Sequence, residues 1–226
     1  MVDQKQVTDF YDGLIFPSRT SHPAYQQLVP TDLQDKMVGD FGCGQSLFKD
    51  VFRQLGYNSM FLDISWNVVR NIDYGAKVQA SLTSLPLKND CMDVIFCIGV
   101  VHHIPEMEKA ISELVRVLQP KGKLYIGVYA DRCMQAYIRK LYDSFKNAHI
   151  KKAIYGLAGL PIWIKNRKNN LKFRSVDYYK RIDDLLITPL VRYLPADHYK
   201  KILDSCGARI DGIRRISSMN VIIVNK

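Results

Sequence analysis

Three groups of residues have types and spacings that could do chemistry. Asp40 closes a short run, Lys36-Met37-Val38-Gly39, and Phe41 then leads into two glycines spaced by one residue, Gly42-Cys43-Gly44. Asp63 ends a second apolar run nineteen positions beyond Gly44. His102 and His103, the only adjacent histidines, follow a third and longer run. Gly42 and Gly44 let the backbone turn sharply and come close to a ligand without Cβ atoms in the way, and the amides of a helix that starts there suit a polar or anionic group. This is a nucleotide-type loop. A dinucleotide fingerprint from Gly42 would need glycine at position 47, where the chain has Leu47. Asp40 would also sit poorly beside a pyrophosphate; it suits a ligand carrying positive charge.

The elements that position these groups follow from the apolar periodicity. Lys36 to Val38 leads into a buried strand of a parallel sheet. A helix is predicted from Ser46 through Leu47, Phe48, Val51, Phe52 and Leu55, stopping at Gly56. Tyr57 to Asp63 is the second strand. Its terminal acid is about 20 residues past the glycine turn, placed to accept both hydroxyls of a ribose, or else caps a helix opening at Ser65-Trp66. Lys77 to Ala80 and Met92 to Ile98 read as the third and fourth strands, and Pro105 suits the first turn of a helix carrying Ala110, Ile111, Leu114, Val115 and Leu118. Lys121-Gly122 turns into a fifth strand, Lys123 to Tyr129. The order is β-α five times over, which predicts an α/β fold with a parallel sheet and helices on both faces. Ala208 to Ile213 and Met219 to Val224 are two more strand-like runs joined through Ser217-Ser218, and near the N-terminus a helix capped by Ser21 is predicted over Tyr25 and Leu28, ending before Pro30.

Composition bounds the rest. At 226 residues, 47% hydrophobic and 24% charged, the chain can bury one sizeable core. No stretch has the ~18 uncharged apolar residues of a spanning helix, and Met1 to Ser21 lacks the basic-then-apolar order of a signal peptide. Cys43, Cys91, Cys97, Cys133 and Cys206 show no metal-ligand spacing, which points to reduced thiols and a cytoplasmic protein. The net charge of +10 is concentrated. Asp131 to Arg181 holds 13 Lys and Arg against three acids, and the remainder balances at 19 against 19. A negatively charged partner would meet that segment.

With Asp40, Gly42 and Gly44 at a strand end, the chain resembles the class I S-adenosylmethionine-dependent methyltransferases, in their small-molecule, type 11-like branch. Their first motif is an acidic residue followed by Gly-x-Gly-x-Gly, and Ser46 stands where the third glycine usually lies. The stretch from Met92-Asp93 to His102-His103 resembles the motif at the end of the family's fourth strand, so three consecutive strand ends match and about two thirds of the chain is covered. Cys97-Ile98-Gly99-Val100 is unlike the Asn/Asp-Pro-Pro-Tyr of enzymes that methylate exocyclic amines of bases. The resemblance implies a Rossmann-like sheet closed by a terminal antiparallel strand, S-adenosyl-L-methionine as cofactor and S-adenosyl-L-homocysteine as product. It implies that Asp40 and the glycine turn hold the methionine portion, Asp63 the ribose, and Ser81 and Leu82 the adenine, Ser81 standing where the family often has Asp. Cys43, Ile64 and Cys97 lie beside these and complete the cofactor-binding set. Tyr11 and Arg19, in a segment that folds over the cofactor in the family, are candidates for touching the methionine carboxylate. His102 or His103 would be the base that takes a proton from the acceptor, or a histidine that only packs. No metal is implied, because no further ligand pairs with them at ligand spacing.

On this reading one methyltransferase domain spans 1–226, with a cap (1–35), a cofactor-binding core (36–130), a basic inserted helical lid (131–195) and a final helix and strands (196–226). Within the lid, Ala153 to Ile164 is twelve uncharged residues flanked by Lys151-Lys152 and Lys165-Asn166-Arg167-Lys168. That suits an apolar face covering the active site, a membrane surface, or both. Tyr178, Tyr179, Tyr193 and His198 would line the acceptor pocket. The expected function is methylation of a hydroxyl, carboxylate or amine on a small, peptide-linked or lipid-linked metabolite in biosynthesis, by a cytoplasmic enzyme with peripheral membrane contact through the lid. Two other classes stay open: an RNA or tRNA methyltransferase, and a non-catalytic cofactor-binding scaffold.

Overall fold

A computed structural model describes residues 2–13, 23–166 and 175–226. Arg19 lies outside the described residues, as do Arg167 and Lys168. The β-branched and aromatic runs pair as a seven-stranded sheet: β1 (Met37–Phe41), β2 (Asn58–Asp63), β3 (Ala76–Gln79), β4 (Met92–Ile98), β5 (Leu118–Tyr129), β6 (Arg209–Ile216) and β7 (Met219–Asn225). The order is β3-β2-β1-β4-β5-β7-β6. β1 to β5 run parallel, and β7 lies antiparallel between β5 and β6. This is the expected Rossmann-like α/β sheet. Its strand order reverses between β1 and β4, so their carboxyl ends open a crevice where ligands of such folds bind.

Helices cover both faces: α1 (Gln4–Gly13), α2 (Pro23–Gln26), α3 (Lys49–Gln54), α4 (Trp66–Val69), α5 (Met107–Val117), α6 (Met134–Ser144), α7 (Ala148–Asn166), α8 (Val176–Leu186) and α9 (Ala196–Ser205). Along β4 the side chains alternate, as a strand buried on both faces requires. Ile95 and Cys97 pack with Ile111 and Leu114 of α5 and with Tyr199 and Leu203 of α9. Val94 and Phe96 pack on the other side with Phe48, Phe52 and Val69. Phe96 stacks on Tyr125, ring centroids 4.7 Å apart and planes 8° apart, and its centroid lies 4.6 Å from that of Phe48.

Five sequence expectations need correction. The helix after β1, α3, begins at Lys49, not Ser46, because Ser46 takes a left-handed φ of 58° and belongs to the turn. No helix connects β3 to β4 among the described residues, so the β-α repeat is broken once. Leu82 and Leu85 fill the core there instead. The Arg116 guanidinium donates to the carbonyls of Leu85 and Leu87, and the Leu85 amide donates to Glu113, which holds the loop without helical bonds. β5 starts five residues early, at Leu118, because Leu118 pairs with Met92 before the register shifts around the left-handed Lys121. Pro105 precedes α5 rather than lying in its first turn, and the helix near Tyr25 is only the four residues of α2.

The insert after β5 builds its own small core. Tyr178, Ile182, Leu185 and Leu186 of α8 bury against Ala158 of α7, with Tyr155 and Trp163 packed at the edge. Gly159 makes the approach feasible, since a Cβ there would come 1.7 Å from the Tyr178 hydroxyl.

Phe96 joins three rings and is completely buried, so Phe96→Ala should cost about 3–5 kcal/mol of folding stability. The midpoint of urea unfolding measures this; a loss below about 1 kcal/mol would show that the aromatic stack does not organise the core.

Candidate active site

The turn after β1 is built around a buried acid. Asp40 is 3% exposed, and the Ser46 hydroxyl donates to its Oδ2 at 2.6 Å. The same oxygen of Ser46 accepts the amides of Phe48 at 3.1 Å and Lys49 at 3.0 Å, which satisfies the opening of α3. Gly42 (φ 68°) and Gly44 (φ 53°) supply the left-handed turns. A Cβ on Gly42 would come 2.5 Å from Val100, so the loops after β1 and β4 touch here, whereas a Cβ on Gly44 would face open space. The turn is also tied to β2: the amides of Gly42 (2.6 Å) and Cys43 (3.0 Å) donate to the Leu62 carbonyl.

Asp63 continues this tie. Its Oδ2 accepts the Gly44 amide at 2.8 Å, and its Oδ1 accepts the Ser65 amide at 3.0 Å. Each carboxylate oxygen has a second lone pair, so two acceptor positions remain for a vicinal diol. Burial raises the Asp63 pKa, and the amides of Ser65, Gly44 and Ile64 hold it down while the charge of Asp12 raises it. Asp40 is pushed up to about 7 by burial first, against the Ser46 hydrogen bond, with the charge of Asp63 adding to the rise. A cation bound at this turn would relieve both acids. Burial and the same two carboxylates raise the thiols of Cys43 and Cys97, so both stay protonated. Ser81 ends the β3 side of the crevice; its hydroxyl lies 2.8 Å from that of Thr83 and accepts the Thr83 amide, next to buried Leu82.

A second group of side chains meets beyond the ends of β4 and β5. Both histidines lie on a short 3₁₀ turn and are buried. His103 Nδ1 is 2.7 Å from the Leu190 carbonyl. A carbonyl only accepts, so the proton sits on Nδ1 and Nε2 is left as the basic nitrogen. Burial lowers the His103 pKa, partly offset by the charge of Asp184 and the Leu190 carbonyl. His102 is lowered further, by burial and by His103, and its ring nitrogens have no partner among the described residues. Both rings are neutral near pH 7. The His102 ring lies 4.2 Å from His103 and 4.7 Å from Tyr129. Arg192 holds the loop from behind, its amide donating to the His102 carbonyl and its guanidinium to those of Ile104 and Pro105.

Asp184 of α8 joins this group to the cap. It accepts the Tyr11 hydroxyl at 3.2 Å and the Tyr129 hydroxyl at 3.4 Å, and Tyr11 also reaches Thr188 at 3.4 Å. Tyr11 therefore meets the lid and the edge of His103, ring centroids 5.6 Å apart, while its neighbour Asp12 is the residue of α1 whose charge reaches Asp63. Of the four side chains expected around an acceptor, Tyr193 stacks on Tyr129 and joins the group. Tyr178 is buried in the lid core, Tyr179 is exposed, and His198 sits on α9 opposite Glu108, away from the other histidines. Asp12, Tyr129 and Arg192 were not singled out from sequence as site residues. Asp184 and Thr188 lie in the stretch from Asp183 to Pro189, whose only signal was its resemblance to the end of an acceptor lid.

Residues 39–126, which carry both the turn and the histidine loop, match the methyltransferase domain family. That match spans 88 of the chain's 226 residues, from within β1 into β5. Among curated relatives, an uncharacterised protein of Methanocaldococcus jannaschii is 34% identical over 96 residues, 42% of this chain and 41% of that one. Probable tRNA methyltransferase 9B of Mus musculus is 32% identical over 138 residues, 50% of this chain and 30% of that one. A malonyl-[acyl-carrier protein] O-methyltransferase of Buchnera aphidicola is 23% identical over 201 residues, 83% of this chain and 75% of its own length. The chain thus spans less than half the length of the first two. A crystal structure of an S-adenosylmethionine-dependent methyltransferase from Mesorhizobium loti superposes with a TM-score of 0.60 at 14% identity, covering 90% of this chain and 96% of that one. That likeness is one of fold. Within the matched stretch, Ser46 takes a left-handed φ of 58° at the position where the family's first motif usually has its third glycine.

The raised Asp40 sets a pH dependence. An acid whose pKa is higher folded than unfolded takes up a proton on folding, so this contribution is fully present near about pH 4 and is lost as pH rises through about 7. Without ligand, stability should therefore fall across that window, and Asp40→Asn should flatten the slope, leaving the smaller part due to Asp63. Urea midpoints measured at intervals of pH decide this; an unchanged slope in the variant would mean that Asp40 is ionised in the folded chain.

Proposed function

We propose that the protein transfers a methyl group from S-adenosylmethionine to an oxygen acceptor held between the lid and the histidine loop. The single observation that carries the reading is the paired arrangement of Asp40, buried, and Asp63, partly buried, on one glycine turn, with the Gly44 amide donating to Asp63. When bound, the cofactor supplies an electrophilic methyl group on a sulfonium and leaves as S-adenosylhomocysteine. Asp40 and the turn from Gly42 to Gly44 would hold its cationic methionine end, the free lone pairs of Asp63 the ribose hydroxyls, and Ser81 and Leu82 the adenine, with Cys43, Ile64 and Cys97 as walls. Arg19 remains a proposal for the methionine carboxylate. Tyr11, engaged with Asp184, fits the acceptor side better.

His103 is the better candidate base of the pair. Its tautomer is fixed by Leu190, so Nε2 can take the proton of an attacking hydroxyl, while His102 is enclosed between two rings. Tyr11, Tyr129, Tyr193 and Asp184 would orient the acceptor, and exclusion of water beneath α8 leaves proximity as the main source of rate. The acceptor class is a hydroxyl or carboxylate of a small, peptide-linked or lipid-linked metabolite, and the basic lid would let the enzyme meet a membrane. The excess of Lys and Arg favours one second reading, a tRNA acceptor as named for the Mus musculus relative. Against it, the basic residues are interleaved with apolar ones instead of forming a recognised RNA-binding module.

Labelled methyl transfer from S-adenosylmethionine into organic, aqueous and nucleic-acid fractions of a cell extract tests the reading. Label in the organic or small-molecule fraction supports it; label in nucleic acid or in none overturns the acceptor or the activity. Asp63→Ala should weaken cofactor binding by about 10- to 100-fold, and His103→Ala should lower kcat by about 10²- to 10⁴-fold with cofactor affinity unchanged. Since binding a cation needs Asp40 ionised, cofactor affinity measured by calorimetry should rise as pH passes through about 7 and lose that rise in Asp40→Asn.

A further inference from the structure

α7 is apolar on two opposite sides. Tyr155, Ala158 and Trp163 face the small core shared with α8. Ile150, Ala153, Leu157, Leu160 and Ile164 recur at intervals of three and four, one stripe of a helix, and all five are exposed, Leu157 to 72%. α6 repeats the pattern with exposed Met134, Tyr137 and Leu141. Nine of the eleven large apolar side chains exposed among the described residues lie between Met134 and Ile187. A face of this kind on a protein surface marks a contact.

Charge identifies the occupant. From residue 144 to residue 176 the chain has eight Lys and Arg and no acid. Lys146 and Lys152 are exposed beside the stripe, and Lys151 lies 4.8 Å from the Tyr142 ring centre. A second copy of this face would bring like charges together. Nucleic acid would use the lysines but leave Leu157, Leu160 and Ile164 without a partner. A bilayer with anionic headgroups uses both: the branched side chains enter the acyl boundary and the ammonium groups stay at the headgroups.

We propose that the exposed stripe of α7, continued by α6, docks the enzyme on anionic membranes. This deepens the reading of a lipid-linked acceptor, because α8, which packs on α7, also carries Asp184 into the candidate site. Docking itself does not depend on methyl transfer. The full chain should sediment with phosphatidylglycerol-containing vesicles about tenfold more than with pure phosphatidylcholine vesicles. The double variant Leu157→Ser/Leu160→Ser should lose most of that binding while S-adenosylhomocysteine binding, as a check on folding, stays unchanged. Absence of binding to anionic vesicles, equal binding by the variant, or a dimer in sedimentation equilibrium that the variant dissociates would each overturn the proposal. Vesicle binding without methyl transfer to any acceptor would support docking and count only against the catalytic reading.

Discussion

The Ser46 hydroxyl donates a hydrogen bond to the buried Asp40 and accepts the amides of Phe48 and Lys49, where α3 opens, in return. A carboxylate taken out of water is costly unless hydrogen-bonded, and a helix start leaves amides that need acceptors. One side chain meets both needs, but only from a left-handed backbone, which puts Ser46 inside the turn. The position of Asp40, the path from Gly42 to Gly44 and the entry angle of α3 are therefore fixed together. Asp63 then anchors to the same turn through the Gly44 amide, so β1 and β2 present their acids at a common edge.

From that edge the site extends by contact. Val100 fills the space where a Gly42 side chain would be, which sets the loop after β4 against the turn after β1. The loop carries the two histidines, and Leu190 and Arg192 hold it from a distant part of the chain. The insert is thus not merely laid over the sheet: its closing segment, residues 188–193, helps shape the loop it covers.

What was legible in the sequence was local. Apolar runs ending in an acid or a glycine marked the ends of β1, β2 and β4, and the spacing from Gly44 pointed to Asp63, the acid that the Gly44 amide meets. The missing helix between β3 and β4 was not legible, since Leu82 and Leu85 look alike in a loop or a helix, and only Arg116 and Glu113 decide the case by capturing the backbone. The second half of the site was hidden for a related reason. Tyr11, Tyr129 and Asp184 are far apart in the chain, and no period or spacing relates them; their meeting depends on how an insert folds back. Tyr178 and His198 attracted notice by residue type, yet burial and helix face took them elsewhere.

The shared carboxylate of Asp184 has a kinetic side. Two phenol hydroxyls reach it from α1 and from the end of β5, at 3.2 and 3.4 Å, near the long limit of such bonds. Contacts of that length are weak, and movement of the one carboxylate would loosen both. The first helix and the insert would then part in a single event, on the microsecond-to-millisecond scale of lid motions. Such a clasp would let the candidate site exclude water while occupied and still open for exchange.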